Sequence, residues 1–355
     1  METEHRVVVD DARSLDDLAD DSVELVVTSP PYPMIEMWDD LFADLDSDIG
    51  EFLDAAEGQA AFDAMHEQLD RVWAEVERVL VDGGIACVNV GDATRKVDGS
   101  FRVYQNHSRV VDSFEALGFE PLPEILWRKP ANAGAKFMGS GMLPPNAYVT
   151  LEHEYVLVFR NGQQRRSFES GSERRYNSAF LWEERNRWFS DLWTDVRGDL
   201  QTLEEEAPRE RSAAFPFAIP YRLINMFSVY GDTVLDPFWG TGTTSLAAMV
   251  AGRSSVGYEL EASFTEVFAD RVADVGALSR RVVDRRLADH REFVAERQAA
   301  GDAPAYDAEY YDFPVTTKQE RPILLYTVSD VERTDAGYDV VHEPAIGRRT
   351  GSSKG

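Results

Sequence analysis

Cysteine, lysine and long apolar runs are what this 355-residue chain has least of. A single cysteine, Cys87, excludes a disulfide framework. Six scattered histidines add no ligand spacing to it, so no metal site is expected. No stretch approaches the ~18 consecutive apolar residues of a membrane helix. Met1–Arg6 (METEHR) is acidic where an export signal is basic and then apolar, so the cytoplasm is the expected location. Lysine occurs only at 96, 129, 136, 318 and 354, and every other basic residue is arginine. Against 36 basic residues stand 64 acidic ones, a net charge of −28. An acidic, lysine-poor surface fits the salt-filled cytosol of a halophile, where a Debye length of ~3 Å at 1 M screens self-repulsion. An acidic protein in ordinary salt whose partners are not polyanions has the same composition. Charge alone argues against nucleic acid.

A 43% hydrophobic, 11% aromatic chain can bury a real core, which excludes disorder as its main state. Val7–Val9 and Val23–Thr28 read as buried strands joined by a helical segment around Ser14–Leu18. Asp39–Gly58 is acidic and of undecided structure. Phe62, Met65, Leu69, Val72, Val76 and Val79 recur at helical steps up to the stop at Asp82–Gly84. Ile85–Val90, Pro123–Trp127 and Tyr155–Phe159 follow as strands, with a helix at Ser108–Leu117. After residue 214 the pattern resumes: helix Tyr221–Tyr230, strand Thr233–Leu235, helix Thr243–Ala251, strand Ser255–Tyr258. Such alternation predicts an α/β fold, a mostly parallel sheet with helices on both faces. Gly162–Ser212 breaks the rhythm. Between Arg160 and Arg187 seven arginines stand against four glutamates, interleaved with aromatic residues. Four regions result: 1–161, an insertion at 162–213, 214–261, and an extension at 262–355, helical to about Ala300 and then mixed, with a possible strand at Ile323–Val328.

Two motifs carry chemistry. In the first, a strand ends at Asp236, and Pro237, Phe238, Gly240 and Gly242 turn into a helix beginning with Thr243 and Thr244; Glu259 lies 23 residues beyond Asp236. Glycines let the backbone approach a ligand, and the second acid can take both ribose hydroxyls. No lysine follows the glycines, so this is no Walker loop, and Ser245 stands where a dinucleotide fingerprint has its third glycine. Acids at such a turn repel a diphosphate and suit a cation. S-adenosylmethionine, with its sulfonium and amino group, fits; a plain glycine turn between strand and helix is the alternative. Trp239 either packs under the helix or covers the cofactor. The second motif is Thr28–Tyr32 (TSPPY), directly after a strand. Two prolines fix an extended turn that presents Ser29 Oγ and the Pro30 carbonyl together, beside Pro31 and the Tyr32 ring. Acceptors aimed at the hydrogens of an exocyclic amine hold its lone pair out of conjugation. By itself a Pro-Pro-Tyr segment is equally an ordinary proline-rich turn.

Together these segments resemble the amino-group DNA methyltransferases, which methylate cytosine N4 or adenine N6 from S-adenosylmethionine. Ser29–Tyr32 resembles their catalytic tetrapeptide and Asp236–Thr244 their cofactor motif. The order, catalytic motif first, is that of the β arrangement. The resemblance covers about residues 5–260 and implies a Rossmann-like methyltransferase fold. It also implies that Asp11 contacts the cofactor adenine and that Phe215 and Pro216 flank the cofactor. Arg211-Ser212 departs from the family's usual His-Pro. Trp127–Pro130 and His153–Arg160 are similar to later family segments. The family's target-recognition region lies between its two halves, where the Arg/aromatic insertion sits. Double-stranded DNA is therefore the expected partner, contacted by Lys136, Arg165, Arg166, Arg174 and Arg175. A small satellite core ringed by solvated arginine is the bland alternative. The glycine- and proline-rich 131–150 segment, with Asn132 and Asn146, is either a lid over a flipped base or a surface loop. Ser29, neutral where adenine enzymes mostly carry aspartate, points to cytosine N4, with adenine N6 as the alternative. An RNA or protein methyltransferase, or a silent nucleic-acid-binding protein, is the more distant one. A cognate restriction endonuclease is possible, and a monomer or homodimer is expected. Cys87 is expected to fill the core, and His153 to shape the start of its strand.

Overall fold

A computed structural model describes residues 1–129, 138–139, 143–196 and 215–346. Lys136, Asn132 and the part of the insertion beyond 196 lie outside these residues. Ten strands form one sheet: β1 (Glu2–Val8), β2 (Val23–Thr28), β3 (Leu80–Val90), β4 (Glu120–Arg128), β5 (His153–Arg160), β6 (Leu192–Trp193), β7 (Thr233–Asp236), β8 (Ser254–Tyr258), β9 (Tyr326–Arg333) and β10 (Gly337–Pro344). Their order across the sheet is β6-β4-β5-β3-β2-β7-β8-β1-β10-β9. The central five, β3 to β1, run parallel. β5 is antiparallel to β3 and β4, and β10 is antiparallel to β1 and β9.

The central strands read as unbroken apolar runs because both of their faces are covered. Along β2, Val26 packs with the Gly58–Val79 and Asn106–Ala116 helices. Leu25 and Val27 face the Ala218–Phe227, Thr243–Ala251 and Val275–Ala299 helices. Cys87 is fully buried in this second layer, where burial pushes its thiol upward, so it behaves as a core filler. Successive connections leave β2 toward β3 and β7 toward β8, in opposite directions. Between β2 and β7 lies a topological switch point, and a crevice opens there at the carboxyl ends of the strands.

The extension completes the sheet. Its last strand is β9, shifted from the expected Ile323–Val328 to Tyr326–Arg333. β10 is fastened to β1 by Thr3 Oγ1, 2.9 Å from both His5 Nε2 and His342 Nε2. Burial, then the neighbouring His342, push His5 down to about 3, so it stays neutral. The long Val275–Ala299 helix grips the insertion. Arg286 Nη2 lies 2.8 Å from Glu184 Oε2, both buried, and its guanidinium covers the Trp188 ring.

Two of the insertion's arginines are engaged within the fold itself. β5 ends beside the start of β3 (Arg160 pairs with Ile85), so the chain enters the insertion at the amino edge of the parallel strands. There Arg166 grips the fully buried Asp232 through Nη1–Oδ2 at 2.7 Å and Nη2–Oδ1 at 3.0 Å, and Arg174 binds the same carboxylate. Arg166 and Arg175 flank the Phe168 ring. Arg165 is exposed on the same segment. Asp232 precedes β7 and Asp236 ends it, a separation of about 13 Å along the strand. Of the arginines expected to contact DNA, Arg166 and Arg174 are thus held by Asp232 on the edge away from the crevice. Asp232→Ala should cost about 3–5 kcal/mol in urea denaturation, because it strands two guanidinium groups. Arg165→Ala should change stability by less than about 0.5 kcal/mol.

Candidate active site

The crevice has a volume of about 540 Å³. Its floor comes from the loops after β2 and β7: Ser29, Pro30, Pro31 and Tyr32 from the first, Asp236, Pro237, Phe238 and Gly240 from the second. Asp11, Thr243, Glu259 and Phe215 complete the expected set in the lining. Pro216, Gly242 and Thr244 are not in the wall. They support it: Pro216 is buried behind Phe215, and its carbonyl accepts from Ile219 N at 2.9 Å to start a helix. One wall was not anticipated. The acidic stretch folds into short helices, Asp39–Leu45 and Ser47–Asp54, and Met37, Trp38, Leu41 and Leu45 face the crevice.

The two motifs are stitched together by side chains. Thr28 Oγ1 donates to Asp236 Oδ1 at 2.6 Å, Thr244 Oγ1 donates to Asp236 Oδ2 at 2.7 Å, and Phe238 N donates to Oδ1 at 3.1 Å. Burial pushes Asp236 up to about 6, while these donors pull the other way. Its charge therefore sits in the crevice floor with both oxygens engaged, leaving one acceptor position on Oδ2.

At the glycine turn, Gly240 N donates to Glu259 Oε2 at 2.7 Å and Glu261 N to Oε1 at 2.9 Å. A carboxylate has about four acceptor sites, so Glu259 keeps one on each oxygen. Burial raises its pKa. A Cβ on Gly240 would meet nothing closer than 4.0 Å, so the backbone there is open to a ligand. Trp239 is buried under the turn, with Nε1 2.8 Å from Ser245 Oγ. It needs Gly257, where a Cβ would lie 2.0 Å from Trp239 Cδ1. Ser245 thus serves the tryptophan where a dinucleotide site would have glycine. Asp11 is held by Arg13, whose Nε lies 2.8 Å from Oδ2; this pairing outweighs burial and lowers its pKa.

The tetrapeptide has partners that the sequence did not reveal. Tyr32 Oη donates to Glu154 Oε2 at 3.1 Å and accepts from Asn89 Nδ2 at 2.9 Å. Asn89 also donates to Glu154 Oε2 at 2.7 Å, and Lys129 Nζ pairs with the other oxygen. Burial, then the Glu154 charge, hold the Tyr32 hydroxyl well above its usual range, so it keeps its proton. That single proton points to Glu154. Ser29 Oγ, 3.0 Å away, must then donate to Tyr32 Oη. Its lone pairs remain for a substrate, and the Pro30 carbonyl accepts no hydrogen bond among the described residues. The visible signal was an acid beside His153 at the start of β5, inside the family segment His153–Arg160. His153 itself stacks edge-on against Tyr155 and touches no site residue. Thr28→Val should lower stability by about 2 kcal/mol, since it unpairs a buried carboxylate, and thermal melts will read this.

The donor set fits S-adenosylmethionine. The volume lies in the ~300–1,000 Å³ range of small-molecule sites, the lining is acidic and apolar, and no phosphate cradle is present among the described residues. The DNA methylase family N6_N4_Mtase matches residues 23–270. The type II methyltransferase M.MthZI of Methanothermobacter thermautotrophicus is 50% identical over 329 residues, 92% of this chain and 91% of that protein. M.MjaI of Methanocaldococcus jannaschii is 50% identical over 76% of this chain and 91% of its own length. TTHA0409 of Thermus thermophilus, classed provisionally as a DNA modification methylase and solved with S-adenosyl-L-methionine, is 32% identical with a TM-score of 0.59, covering 76% of this chain and 94% of that one. A crevice built jointly by both motifs, in a chain sharing half its positions with such relatives, places this protein in the N6/N4 DNA methylase family, whose methyl donor is S-adenosylmethionine.

Proposed function

We propose that this protein is a type II DNA methyltransferase acting on the N4 amino group of cytosine in duplex DNA. The observation that carries this reading is Ser29 Oγ, whose proton is committed to Tyr32 while its lone pairs face the crevice. An exocyclic amine is a weak nucleophile because its lone pair is delocalised into the base. Ser29 Oγ and the Pro30 carbonyl accept its two hydrogens and turn the lone pair toward the donor. The target base must leave the duplex to reach the crevice, and Tyr32 and Pro31 offer it a flat floor. Bound S-adenosylmethionine supplies a sulfonium methyl group for direct displacement. Alignment by Ser29, Pro30 and Tyr32 provides most of the acceleration, and the amine releases its spare proton afterwards. Glu259 takes the ribose hydroxyls, Asp11 and Phe215 flank the adenine, and Asp236 contributes negative charge beneath the sulfonium.

A neutral acceptor at position 29 favours cytosine over adenine, and the type II relatives support site-specific modification, with a cognate endonuclease as its natural counterpart. The acidic, lysine-poor composition supports a high-salt cytosol. Mass spectrometry of nucleosides from DNA treated with the enzyme should show N4-methylcytosine; N6-methyladenine would overturn the base assignment. Ser29→Ala should lower kcat by at least about 10²-fold with donor affinity retained. Affinity for S-adenosylmethionine should fall as pH drops through about 6, where Asp236 takes up its proton. Calorimetry across that range should show most of this dependence removed in Asp236→Asn.

A further inference from the structure

The crevice edge carries an element that neither motif uses. A hairpin, Ala93–Val97 paired with Ser100–Tyr104, follows β3 directly and is joined by Arg95 to Asp39 at the helical wall of the crevice. Its inner face is fixed. Ala93 and Tyr104 are buried, Tyr104 meets the Phe62 ring at 5.4 Å, and Arg95 forms a fork on Asp39 at 2.8 and 2.7 Å. Its outer face is set by register: Thr94 opposite Val103 and Lys96 opposite Phe101. Phe101 is 38% and Val103 37% exposed. The Phe101 ring stacks on Tyr148, 48% exposed, with planes 5° apart and centroids at 5.4 Å. Lys96 is exposed and has no ion pair among the described residues; Arg102 lies over the Tyr104 ring, and Asp98 at the turn is the nearest acid in sequence.

A two-stranded ribbon is marginal by itself, and one that leaves stacked aromatic rings in water has surface to bury. Arg95 ties the hairpin to the helical wall of the crevice, so a polymer delivering a base there can reach it. On a body of charge −28, long-range attraction to DNA is unavailable, so contact must come from short-range cations and stacking. A two-stranded ribbon fits the major groove, and paired aromatic rings beside a cation suit a base opened from the stack.

We propose that the outer face of this hairpin, together with Tyr148, grips the DNA beside the target base. Lys96 meets a backbone phosphate, and the Phe101–Tyr148 pair meets the base or sugar uncovered when the target leaves the helix. The proposal rests on the DNA methyltransferase reading above. Its test is fluorescence anisotropy with sheared, unmethylated duplex DNA, with donor affinity followed in parallel by calorimetry. Lys96→Ala should weaken DNA binding about threefold and reduce the salt slope by about one, as for a single phosphate contact. Phe101→Ala should weaken it about tenfold with the salt slope unchanged. All variants should melt like the wild type and bind S-adenosylmethionine equally. DNA affinities within twofold of a wild type that methylates DNA would overturn this surface alone. So would dissociation of a dimer by Phe101→Ala in sedimentation with DNA affinity per subunit unchanged, which would mark a self-association face. A wild type unable to methylate DNA would overturn the functional reading and this surface with it.

Discussion

One buried carboxylate holds the two halves of the site in register. Asp236 accepts from Thr28 at the end of the catalytic strand and from Thr244 in the cofactor helix, while its own strand supplies the glycine turn. Burying such a charge is costly, and its rise to about 6 records that cost; three donors compensate for it. The consequence is positional. Ser29 and Gly240 are some two hundred residues apart in sequence, yet Ser29 directly follows Thr28 and Gly240 lies two residues after Phe238, both in the same hydrogen-bonded cluster. The transfer geometry is therefore set by the fold's interior, and loop flexibility has little say in it.

The same logic orients the acceptor. Had Tyr32 faced water, its hydroxyl could donate to Ser29 and use up a lone pair the substrate needs. Asn89 and Glu154, reaching in from β3 and β5, remove that option by fixing which way the Tyr32 proton points. A neutral serine becomes a dedicated acceptor because of a carboxylate it does not touch. Lys129 balances that carboxylate, so the cluster carries no uncompensated charge toward the base.

What the sequence disclosed follows from how local each requirement was. Proline pairs, glycine turns and strand-end acids do their work within a few residues, so Thr28–Tyr32 and Asp236–Thr244 were readable, as were the parallel strands that carry them. Glu154 was not, because its meaning depends on Tyr32, 122 residues away in sequence. The hairpin was legible in principle: Asp98 and Gly99 both have positive φ, the signature of an Asp-Gly turn between alternating strands. The 262–355 extension carried no motif, since its contribution is two sheet strands and a helix that clamps the insertion.

The arginines also have a structural use. A guanidinium forks onto a carboxylate and a lysine cannot. In this chain the fork is used repeatedly inside: Arg166 on Asp232, Arg286 on Glu184, Arg222 on Asp195, Arg95 on Asp39. An acidic protein that builds its internal pairs this way accumulates arginine without any polyanion to bind. The density of arginine in the insertion therefore reports how that segment is fastened to the amino edge of the sheet.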